Sequence, residues 1–547
     1  MTSLDKSKRS RINLWVFVFL LASYCSWIFT LPLFPSLDGP LHLYYASVLA
    51  SLLSGGHRFS NYYFIRHILP PYALHYYFLI ATAHFVGYVL ADKLMICFIF
   101  LVTAWGFRYL AVYLGPSGDL VSLLIVPLLL NWPLGMGFYN YCLSIGLSLW
   151  ALGMWYRAVA QRSHKLWLGF LTMVALMVLT HPVPVLCVYA LVGLDVVSRV
   201  REALATRRLQ PNGIIKEFKC DIAYLLLAWS TVFYVLPFMG RSRIVSNILQ
   251  HYDRKALLLK FLKLSNLAMF SGSQPAVLVY RLSLYATLAL SILWGLKGTK
   301  QKSGSVTFTP ARTLLASSLV LLCLIPILPP VMNGANYFSQ RLVVLVWIGA
   351  LAGASAHVDF RPNLRLELTT IFILYAMAVL LFANFRIRPT AVQMEEIETA
   401  RISRTGMTGL ILSLPDAPDP SGLNYVPYYW AATRYFRRSR STLLNGGWLY
   451  EYYLPLGSRL EDITNQFPPV IQDSPGDAYQ LLLHSDLARA QVMPHANIIV
   501  FTGYEPRQQL LAILRQLDGG KESRSWQCRQ ENWYAVCTTS LPAPTRV

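Results

Sequence analysis

Long apolar runs recur along the first 385 residues and stop after them. A helix needs about 20 apolar residues to cross the hydrocarbon core of a membrane, and twelve runs approach this length. They lie near residues 13–34, 71–91, 94–113, 119–133, 138–156, 166–181, 184–198, 221–239, 277–295, 313–329, 340–357 and 368–385. The pattern predicts an α-helical, polytopic membrane domain over residues 1–385, and the long first run is interpreted as an uncleaved span.

Basic residues cluster in alternate connections between these runs, which is the arrangement that orients membrane helices. The clusters lie in the N-terminal tail and at 157–165, 199–219, 297–312 and 358–367, and these segments are predicted to be cytoplasmic. Alternation then places the connections 35–70, 182–183, 240–276 and 330–339, and the C-terminus, on the outer side.

Two of the predicted outer connections are long, at residues 35–70 and 240–276. The run at 119–133 does not fit the alternation, because it cannot cross if 71–91 and 94–113 both do. It contains Pro127, and broken backbone is tolerated at membrane depth where protein surrounds it. The prediction is therefore about eleven full spans plus one partial span at 119–133.

The character of the chain changes in residues 386–547, where polar residues rise and apolar runs shorten. Segments 409–414 and 497–501 have the composition of strands. Segment 506–517 has the spacing of an amphipathic helix, and 525–538 that of a hairpin. The sequence thus predicts a small extracytoplasmic α/β domain in residues 386–547.

Two of the eight cysteines, Cys528 and Cys537, lie nine positions apart in this hairpin. We expect a disulfide between them, which requires an oxidising compartment. The other six lie in or beside apolar runs without metal-ligand spacing, so packing is their expected role.

Composition supports the membrane prediction and excludes several functions. Hydrophobic residues make up 55% of the chain and charged residues 13%, against about 25% charged in a typical soluble protein. The net charge of +21 is carried mostly by the short basic loops, so no nucleic-acid partner is expected. The sequence contains no P-loop, GxGxxG, HExxH or GxSxG motif.

Carboxylates on the predicted outer face are few. Before residue 385 they are Asp38, Asp119 and Asp253, while the other eight, Asp92 among them, lie on or near the predicted inner face. Asp38 follows the first span in a Gly-Pro turn, four residues before His42. Its side chain could cap the next helix, or it could act as a general base or a metal ligand, with His42 as a catalytic partner.

Arginines on the predicted outer side run against the usual bias of membrane proteins. They are Arg58, Arg66, Arg241, Arg243 and Arg341. Guanidinium groups bind phosphate bidentately, so these side chains are candidates for binding a lipid phosphate. The alternative is an anchor that contacts lipid headgroups.

Two further polar residues lie at the predicted outer ends of spans. His181 stands in the turn 180–184 and is a candidate substrate contact or a structural histidine. Asn140 opens a later span and is a candidate substrate contact or a helix cap.

The layout of residues 1–385 resembles the GT-C glycosyltransferases, in particular bacterial relatives of protein mannosyltransferases and aminoarabinose transferases. The matching residues are Asp38-Gly39-Pro40-Leu41-His42 after the first span, Pro70-Pro71 before the second, Gly137-Phe138-Tyr139-Asn140 opening a later span that ends at Trp155-Tyr156-Arg157, and Arg341. Their order and sidedness carry the resemblance.

The resemblance implies an enzyme of the bacterial inner membrane that takes a hexose or pentose from a polyprenyl-phosphate donor to a glycan, lipid or protein acceptor. Asp38 would be the general base or a metal-bound carboxylate. A divalent cation such as Mg²⁺ or Mn²⁺ stays open, although many family members carry a second acidic residue where this chain has Asn140. An amide is a poor metal ligand and cannot act as a base.

Two other functions are weighed against this one. A lipid or polysaccharide transporter would show polar residues in mid-span and inverted repeats, and neither is evident. A non-catalytic envelope assembly protein would tolerate changes at Asp38 and Arg341 but not the loss of residues 386–547.

Overall fold

The computed structural model describes most of the membrane domain and parts of the C-terminal segment. The described residues are 3–57, 59–60, 63–65, 68–205, 211–235, 269–270, 275–300, 310–325, 331–332, 335–336, 338–355, 362–399, 407–413, 434, 436–439, 442–443, 456–458, 475–486, 492–493, 496–502, 507–518, 525–530 and 534–539. Arg58, Arg66, Arg241, Arg243 and Asp253 lie outside them.

Helices dominate this part of the chain. In chain order they are α1 (Ser3–Thr30), α2 (Gly39–Leu53), α3 (Leu74–Val86), α4 (Tyr88–Leu114), α5 (Gly118–Val121), α6 (Ile125–Leu128), α7 (Trp132–Gly135), α8 (Tyr139–Gln161), α9 (His164–Thr180), α10 (Pro182–Ala205), α11 (Pro211–Val235), α12 (Pro275–Lys300), α13 (Pro310–Leu324), α14 (Phe338–Ser355), α15 (Pro362–Thr399), α16 (Pro475–His484) and α17 (Arg507–Leu517).

Strands are short and are concentrated in the C-terminal segment. They are β1 (Tyr63–Ile65), β2 (Val331–Met332), β3 (Ala335–Asn336), β4 (Thr408–Ser413), β5 (Thr442–Leu443), β6 (Leu456–Ser458), β7 (Ile498–Thr502), β8 (Trp526–Gln530) and β9 (Tyr534–Thr539).

Within the described residues, six helices are long and apolar enough to cross a membrane. The six segments are Arg11–Thr30, Tyr88–Leu114, Tyr139–Gln161, Pro182–Leu204, Pro275–Trp294 and Asn363–Glu396, and five shorter apolar helices accompany them. The prediction of a helical multi-span membrane protein is confirmed at this level.

The chain divides into two compact units. One comprises residues 1–30 and 94–385, and the other comprises residues 31–93 and 386–547. The sequence analysis counted residues 31–93 with the membrane domain, whereas here they group with residues 386–547.

The first unit is a bundle whose closest helix pairs are α8 with α9 and α13 with α14. Small residues bring α13 and α14 together, as is common between membrane helices. A Cβ at Gly353 would lie 2.8 Å from the Leu315 Cβ, and one at Gly349 would collide with the Ser318 hydroxyl. Larger side chains at these glycines would force the two helices apart.

The segment that was predicted to cross only partly is a broken helical path of α5, a 3₁₀ turn (Ser122–Leu124), α6 and α7. Almost every side chain in it is buried. Asn131 closes the break before α7, because its side-chain oxygen accepts a hydrogen bond from the Leu134 N–H at 3.1 Å. Protein therefore surrounds the irregular backbone, as membrane depth requires.

The second unit contains a five-stranded sheet in the order β5-β4-β7-β9-β8. The neighbours of β4 are parallel to it, whereas β9 is antiparallel to both β7 and β8. Residues 498–501 of β7 are fully buried, which suits a central strand covered on both faces. Helices α16 and α17 pack their apolar side chains on this sheet through Leu482, Leu510 and Leu514.

The predicted strands at 409–414 and 497–501, the helix at 506–517 and the hairpin at 525–538 all appear here within one or two residues. Cys528 and Cys537 face each other across β8 and β9 and are joined by a disulfide.

Contacts in the second unit explain why residues 31–93 belong to it. Strand β1 pairs antiparallel with β6, so that Tyr63 lies opposite Ser458. The buried Arg434 approaches Asp92, and Arg437 lies over the Tyr88 ring with 5.2 Å between the Cζ and the ring centroid. These pairings join segments that are more than 300 residues apart in the chain, so local sequence patterns do not reveal them.

Candidate functional site

Asp38 occupies the N-cap position of α2, and only 3% of its surface is exposed. A capping aspartate normally accepts a hydrogen bond from the second or third N–H of its helix. Here the side chain makes no such bond, and the backbone has the angles φ −86° and ψ −11°. Capping of α2 therefore does not explain why the Asp38 carboxylate is buried.

One turn further along α2, His42 meets two side chains of α3. Its Nδ1 lies 2.9 Å from the hydroxyl of Tyr76 and 3.4 Å from the Nε2 of His75. The two imidazole rings pack edge to face with their centroids 4.8 Å apart. All three side chains are buried. His42, His75 and Tyr76 thus form a compact polar cluster near Asp38, which the sequence analysis did not predict.

Tyr76 connects this cluster to Asp38 electrostatically. Burial, and then the negative charge of Asp38, raise the pKa of the Tyr76 phenol. The phenol therefore keeps a proton that it can donate.

A second polar group lies in the other unit, around Arg341 at the start of α14. The Nη1 of Arg341 lies 3.2 Å from the Nε2 of His181, which is fully buried between α9 and α10. Burial, and then the positive charge of Arg341, hold the pKa of His181 well below its usual value. The imidazole is therefore neutral and can accept a hydrogen bond from the guanidinium.

Aromatic rings complete the surroundings of Arg341. Its Cζ lies 3.9 Å from the centroid of the Phe138 ring and 6.0 Å from that of Tyr141. The Tyr141 hydroxyl donates to the backbone carbonyl of Arg341 at 2.6 Å. Stacking and hydrogen bonding together hold the guanidinium in one orientation, which a lipid anchor with a mobile head would not need.

Hydrogen bonds hold both the backbone and the ring of His181 in place. Its carbonyl accepts a hydrogen bond from the Ser144 hydroxyl at 3.0 Å. Its Nδ1 lies 3.2 Å from the Val183 N–H and its Nε2 near Arg341. A neutral imidazole has one acceptor nitrogen, so only one of these two contacts is a hydrogen bond, and the charged donor favours Nε2.

Asn140 is half-buried one residue into α8, and its side-chain oxygen accepts a hydrogen bond from the Tyr141 N–H at 2.8 Å. It thus satisfies a free donor of the first helical turn. This agrees with the capping alternative more closely than with a substrate contact.

Two further carboxylates form contacts that bear on their predicted sides. Asp119, predicted on the outer face, binds Arg365 at 3.0 Å and Asn13 at 2.9 Å; Arg365 lies in a segment predicted to be cytoplasmic, and Asn13 begins the first predicted span. Asp92, predicted near the inner face, lies 3.6 Å from Arg434 in the unit that contains the C-terminal segment, which is predicted to be outside. These contacts favour the opposite side for both residues, and Asp38 is the other predicted outer carboxylate among the described residues.

The described residues offer no group of three or more histidine, cysteine, aspartate or glutamate side chains that could hold a metal ion. Asp38, His42 and His75 do not form such a set. No step of the chemistry is therefore derived through a metal ion.

Three partners of the predicted residues were not named in the sequence analysis: His75, Tyr76 and Tyr141. Phe138 was named there only within the motif Gly137-Phe138-Tyr139-Asn140. One signal was present for the first two, since they are polar residues inside an otherwise apolar run.

Comparison with solved structures gives a match over nearly the whole chain. The crystal structure of ArnT from Cupriavidus metallidurans bound to undecaprenyl phosphate matches with a TM-score of 0.52, 12% identity and coverage of 96% of this chain and 98% of that chain. The apo structure of the same protein gives a TM-score of 0.49 at 13% identity with the same coverage. The chain has an ArnT-like fold.

This likeness is one of fold, so the chain shares the overall fold of that protein. No protein-family model matches the sequence, and no curated protein matches it either. At 12% identity the likeness to ArnT extends to the fold and not to individual residues.

Proposed function

We propose that this chain is a GT-C-type glycosyltransferase that moves a hexose or pentose from a polyprenyl-phosphate donor to a glycan, lipid or protein acceptor on the outer face of the bacterial inner membrane. The observation that carries the proposal is the buried Asp38 carboxylate, which lies in the connection between α1 and α2 of an ArnT-like fold and makes no capping bond to α2. The ArnT crystal structure contains undecaprenyl phosphate, which supports a donor of this class.

Asp38 is the general base in this mechanism. Its carboxylate takes the proton of an acceptor hydroxyl, and the oxygen of that hydroxyl forms a bond to the anomeric carbon of the sugar. The bond between that carbon and the phosphate oxygen breaks, and its electron pair leaves with the polyprenyl phosphate. The products are the glycosylated acceptor, the free lipid phosphate and a proton on Asp38.

Arg341 is the proposed cation for the lipid phosphate. A guanidinium that is already oriented by Phe138 and His181 needs little reorganisation when negative charge develops on the leaving group. Because His181 is neutral, it orients Arg341 without cancelling the attraction for phosphate. Arg58, Arg66, Arg241 and Arg243 are further proposed contacts on the same outer side.

The reaction is proposed to run with Asp38 as a base and without a resident metal. The alternative, a carboxylate bound to Mg²⁺ or Mn²⁺, predicts loss of transfer in chelator and recovery with either ion. Full activity in the presence of a chelator would support the role of Asp38 as a general base without a metal ion.

The topology that fits this function has eleven crossings, with the N-terminus in the cytoplasm. With 13 residues, α3 is shorter than α9, α13 and α14 and falls furthest of these four below the roughly 20 residues of a full crossing. We propose that it stays on the outer side and that the broken segment 118–135 crosses instead. This leaves the C-terminal unit outside, where its disulfide can form.

The test uses the full-length protein in nanodiscs with a panel of undecaprenyl-phosphate monosaccharides and envelope extract as acceptor. Asp38→Asn is expected to abolish transfer while the variant remains inserted and monodisperse. Glu367→Gln, the same chemical change at an exposed carboxylate, is the matched control. Normal transfer by Asp38→Asn would remove this residue from the mechanism.

The same variants separate the other two functions. A transporter would move a labelled polyprenyl-phosphate sugar across the bilayer without consuming it. An assembly protein would support envelope formation in cells that carry both Asp38→Asn and Arg341→Met. Either result would replace the proposed transferase.

A further inference from the structure

Two buried side chains from α3 contact the Nδ1 atom of His42. The hydroxyl of Tyr76 lies 2.9 Å from it and the Nε2 of His75 lies 3.4 Å from it. The shorter contact is within the normal range for a hydrogen bond, and the longer one is at its limit. Tyr76 is therefore the main partner of this nitrogen.

The phenol of Tyr76 keeps its proton, since burial and the neighbouring Asp38 raise its pKa. A phenol that keeps its proton can donate or accept, so the direction of that hydrogen bond follows from the surroundings of Tyr76. Its hydroxyl is buried, and among the described residues His42 Nδ1 is its one hydrogen-bond partner. A buried phenol proton left without an acceptor is costly, so the phenol donates to Nδ1. A phenol that donates to Nδ1 needs a lone pair on that nitrogen. In a neutral imidazole the proton then resides on Nε2.

His75 supports this arrangement by its shape and by its lack of charge. Its ring centroid lies 4.0 Å from that of Tyr76 and 4.8 Å from that of His42. Burial, and then His42, hold the pKa of His75 well below its usual value. A neutral His75 fills the space beside His42 without placing a positive charge next to it.

We propose that Tyr76 is a positioning residue that fixes His42 as the Nε2–H tautomer, so that His42 serves the reaction as a hydrogen-bond donor and leaves Asp38 as the sole base. This inference rests on the proposed transferase function. His42 is not a second base, because a ring nitrogen that already accepts a hydrogen bond from a phenol cannot also take the proton of an acceptor hydroxyl. The Nε2–H donates to an anionic oxygen of the reaction.

The first experiment measures the tautomer and needs no substrate. The full-length protein is labelled with ¹⁵N-histidine in nanodiscs, and the His42 signals are assigned by their absence in His42→Gln. At pH about 7.5, one unit above the model-peptide value of histidine, Nδ1 should resonate as an unprotonated nitrogen and Nε2 as a protonated one. A protonated Nδ1 in the wild-type protein would overturn the proposal.

The second experiment uses adjacent tyrosines as a matched pair. Tyr76→Phe is expected to lower kcat about tenfold, the effect of one lost hydrogen bond, with little change in KM. Tyr77→Phe removes the same atom from the next residue, whose hydroxyl donates to the Ile68 carbonyl instead, and should retain the wild-type kcat. Equal kcat in the two variants would contradict the positioning role.

A third pair of variants keeps the proposal testable if Tyr76→Phe fails to fold. A glutamine side chain places an N–H donor near the position of the histidine Nε2, whereas asparagine places one near Nδ1. His42→Gln should therefore retain several-fold more activity than His42→Asn, and the reverse order would refute the donor role. If Asp38→Asn transfers sugar normally while the tautomer is as expected, the transferase proposal fails and the tautomer assignment stands.

Discussion

Arg434 and Asp92 approach each other in the interior of the second unit, with the Arg434 Nη2 3.6 Å from the Asp92 Oδ2. Arg434 belongs to the C-terminal segment and Asp92 to the first turns of α4, and neither side chain has more than 2% exposure. Lys93, the next residue, donates to the Leu31 carbonyl at 2.5 Å. Buried charge thus ties the beginning of α4 to residues that follow the last span.

This pair is expected to stabilise the second unit in a way that a double-mutant cycle reveals. Removal of one partner takes an opposite charge away from a buried group, so Asp92→Asn and Arg434→Met should each lower the free energy of unfolding, by up to about 3–5 kcal/mol. The double variant should recover part of that loss, because neither charge of the pair remains. Thermal unfolding in detergent is the measurement, and additive losses would contradict the coupling.

The contact between Arg434 and Asp92 also leads to a prediction about which side of the membrane the end of α4 faces. If α3 stays outside and α4 crosses inward, the exposed Pro116 that follows α4 lies in the cytoplasm. In a background without free cysteines, Pro116→Cys should resist a membrane-impermeant maleimide in intact spheroplasts and react after lysis. Ser54→Cys is the outer control and Gln161→Cys the inner control. Labelling of Pro116→Cys before lysis would restore α3 as a span.

The segment 71–91 decides the predicted sides of both Asp92 and Asp119. Its residues are largely apolar, so hydropathy predicts a span there. The helix nevertheless ends at Gly87, which has a φ of +77°, and a new helix starts at Tyr88. If α3 does not cross, as proposed, Asp92 and Asp119 exchange sides, which agrees with their contacts to Arg434 and Arg365.

The predictable parts of the fold are those that depend on local pattern. The strands at 409–414 and 497–501 come from short β-branched and apolar runs, and the position of Asp38 comes from the end of the first apolar helix. The contacts of His42 with Tyr76 and of His181 with Arg341 span 34 and 160 residues. No periodicity in a single sequence reports which distant turns meet, so these partners could only come from the structure.

Arg341 is expected to govern the affinity for the donor. Arg341→Met should raise the KM for an undecaprenyl-phosphate sugar about 10- to 100-fold, the effect of losing one or two charge-assisted hydrogen bonds. Arg341→Lys should recover only part of the loss, because an ammonium group neither stacks flat on Phe138 nor binds phosphate bidentately. Steady-state kinetics over a series of donor concentrations provide the measurement. An unchanged KM in Arg341→Met would leave this residue as a lipid anchor.

His181 should make the stability of the first unit depend on pH. Its pKa is lowered by burial and by Arg341 from the usual 6.5, so below pH 6.5 the unfolded chain binds a proton that the folded protein does not. Its contribution is therefore fully present above pH 6.5 and is lost as the pH falls below that value. His181→Gln should flatten the acid side of a plot of melting temperature against pH. An acid slope identical to that of the wild type would show that His181 is not the group responsible.

The disulfide between Cys528 and Cys537 is expected to hold the edge of the C-terminal sheet. It closes a loop with a sequence separation of nine residues, and chain entropy gives such a loop a value of about 3 kcal/mol or less. The double variant Cys528→Ala/Cys537→Ala should unfold more easily by about this amount, and a reducing agent should weaken the wild type but not the variant. Cys323→Ala, at an exposed free thiol, is the control and should behave as the wild type does. If the reducing agent leaves the wild type unchanged while the cysteines react with a thiol probe, the bond does not form in the membrane-inserted protein, and the argument that the C-terminal unit faces an oxidising compartment loses its chemical support.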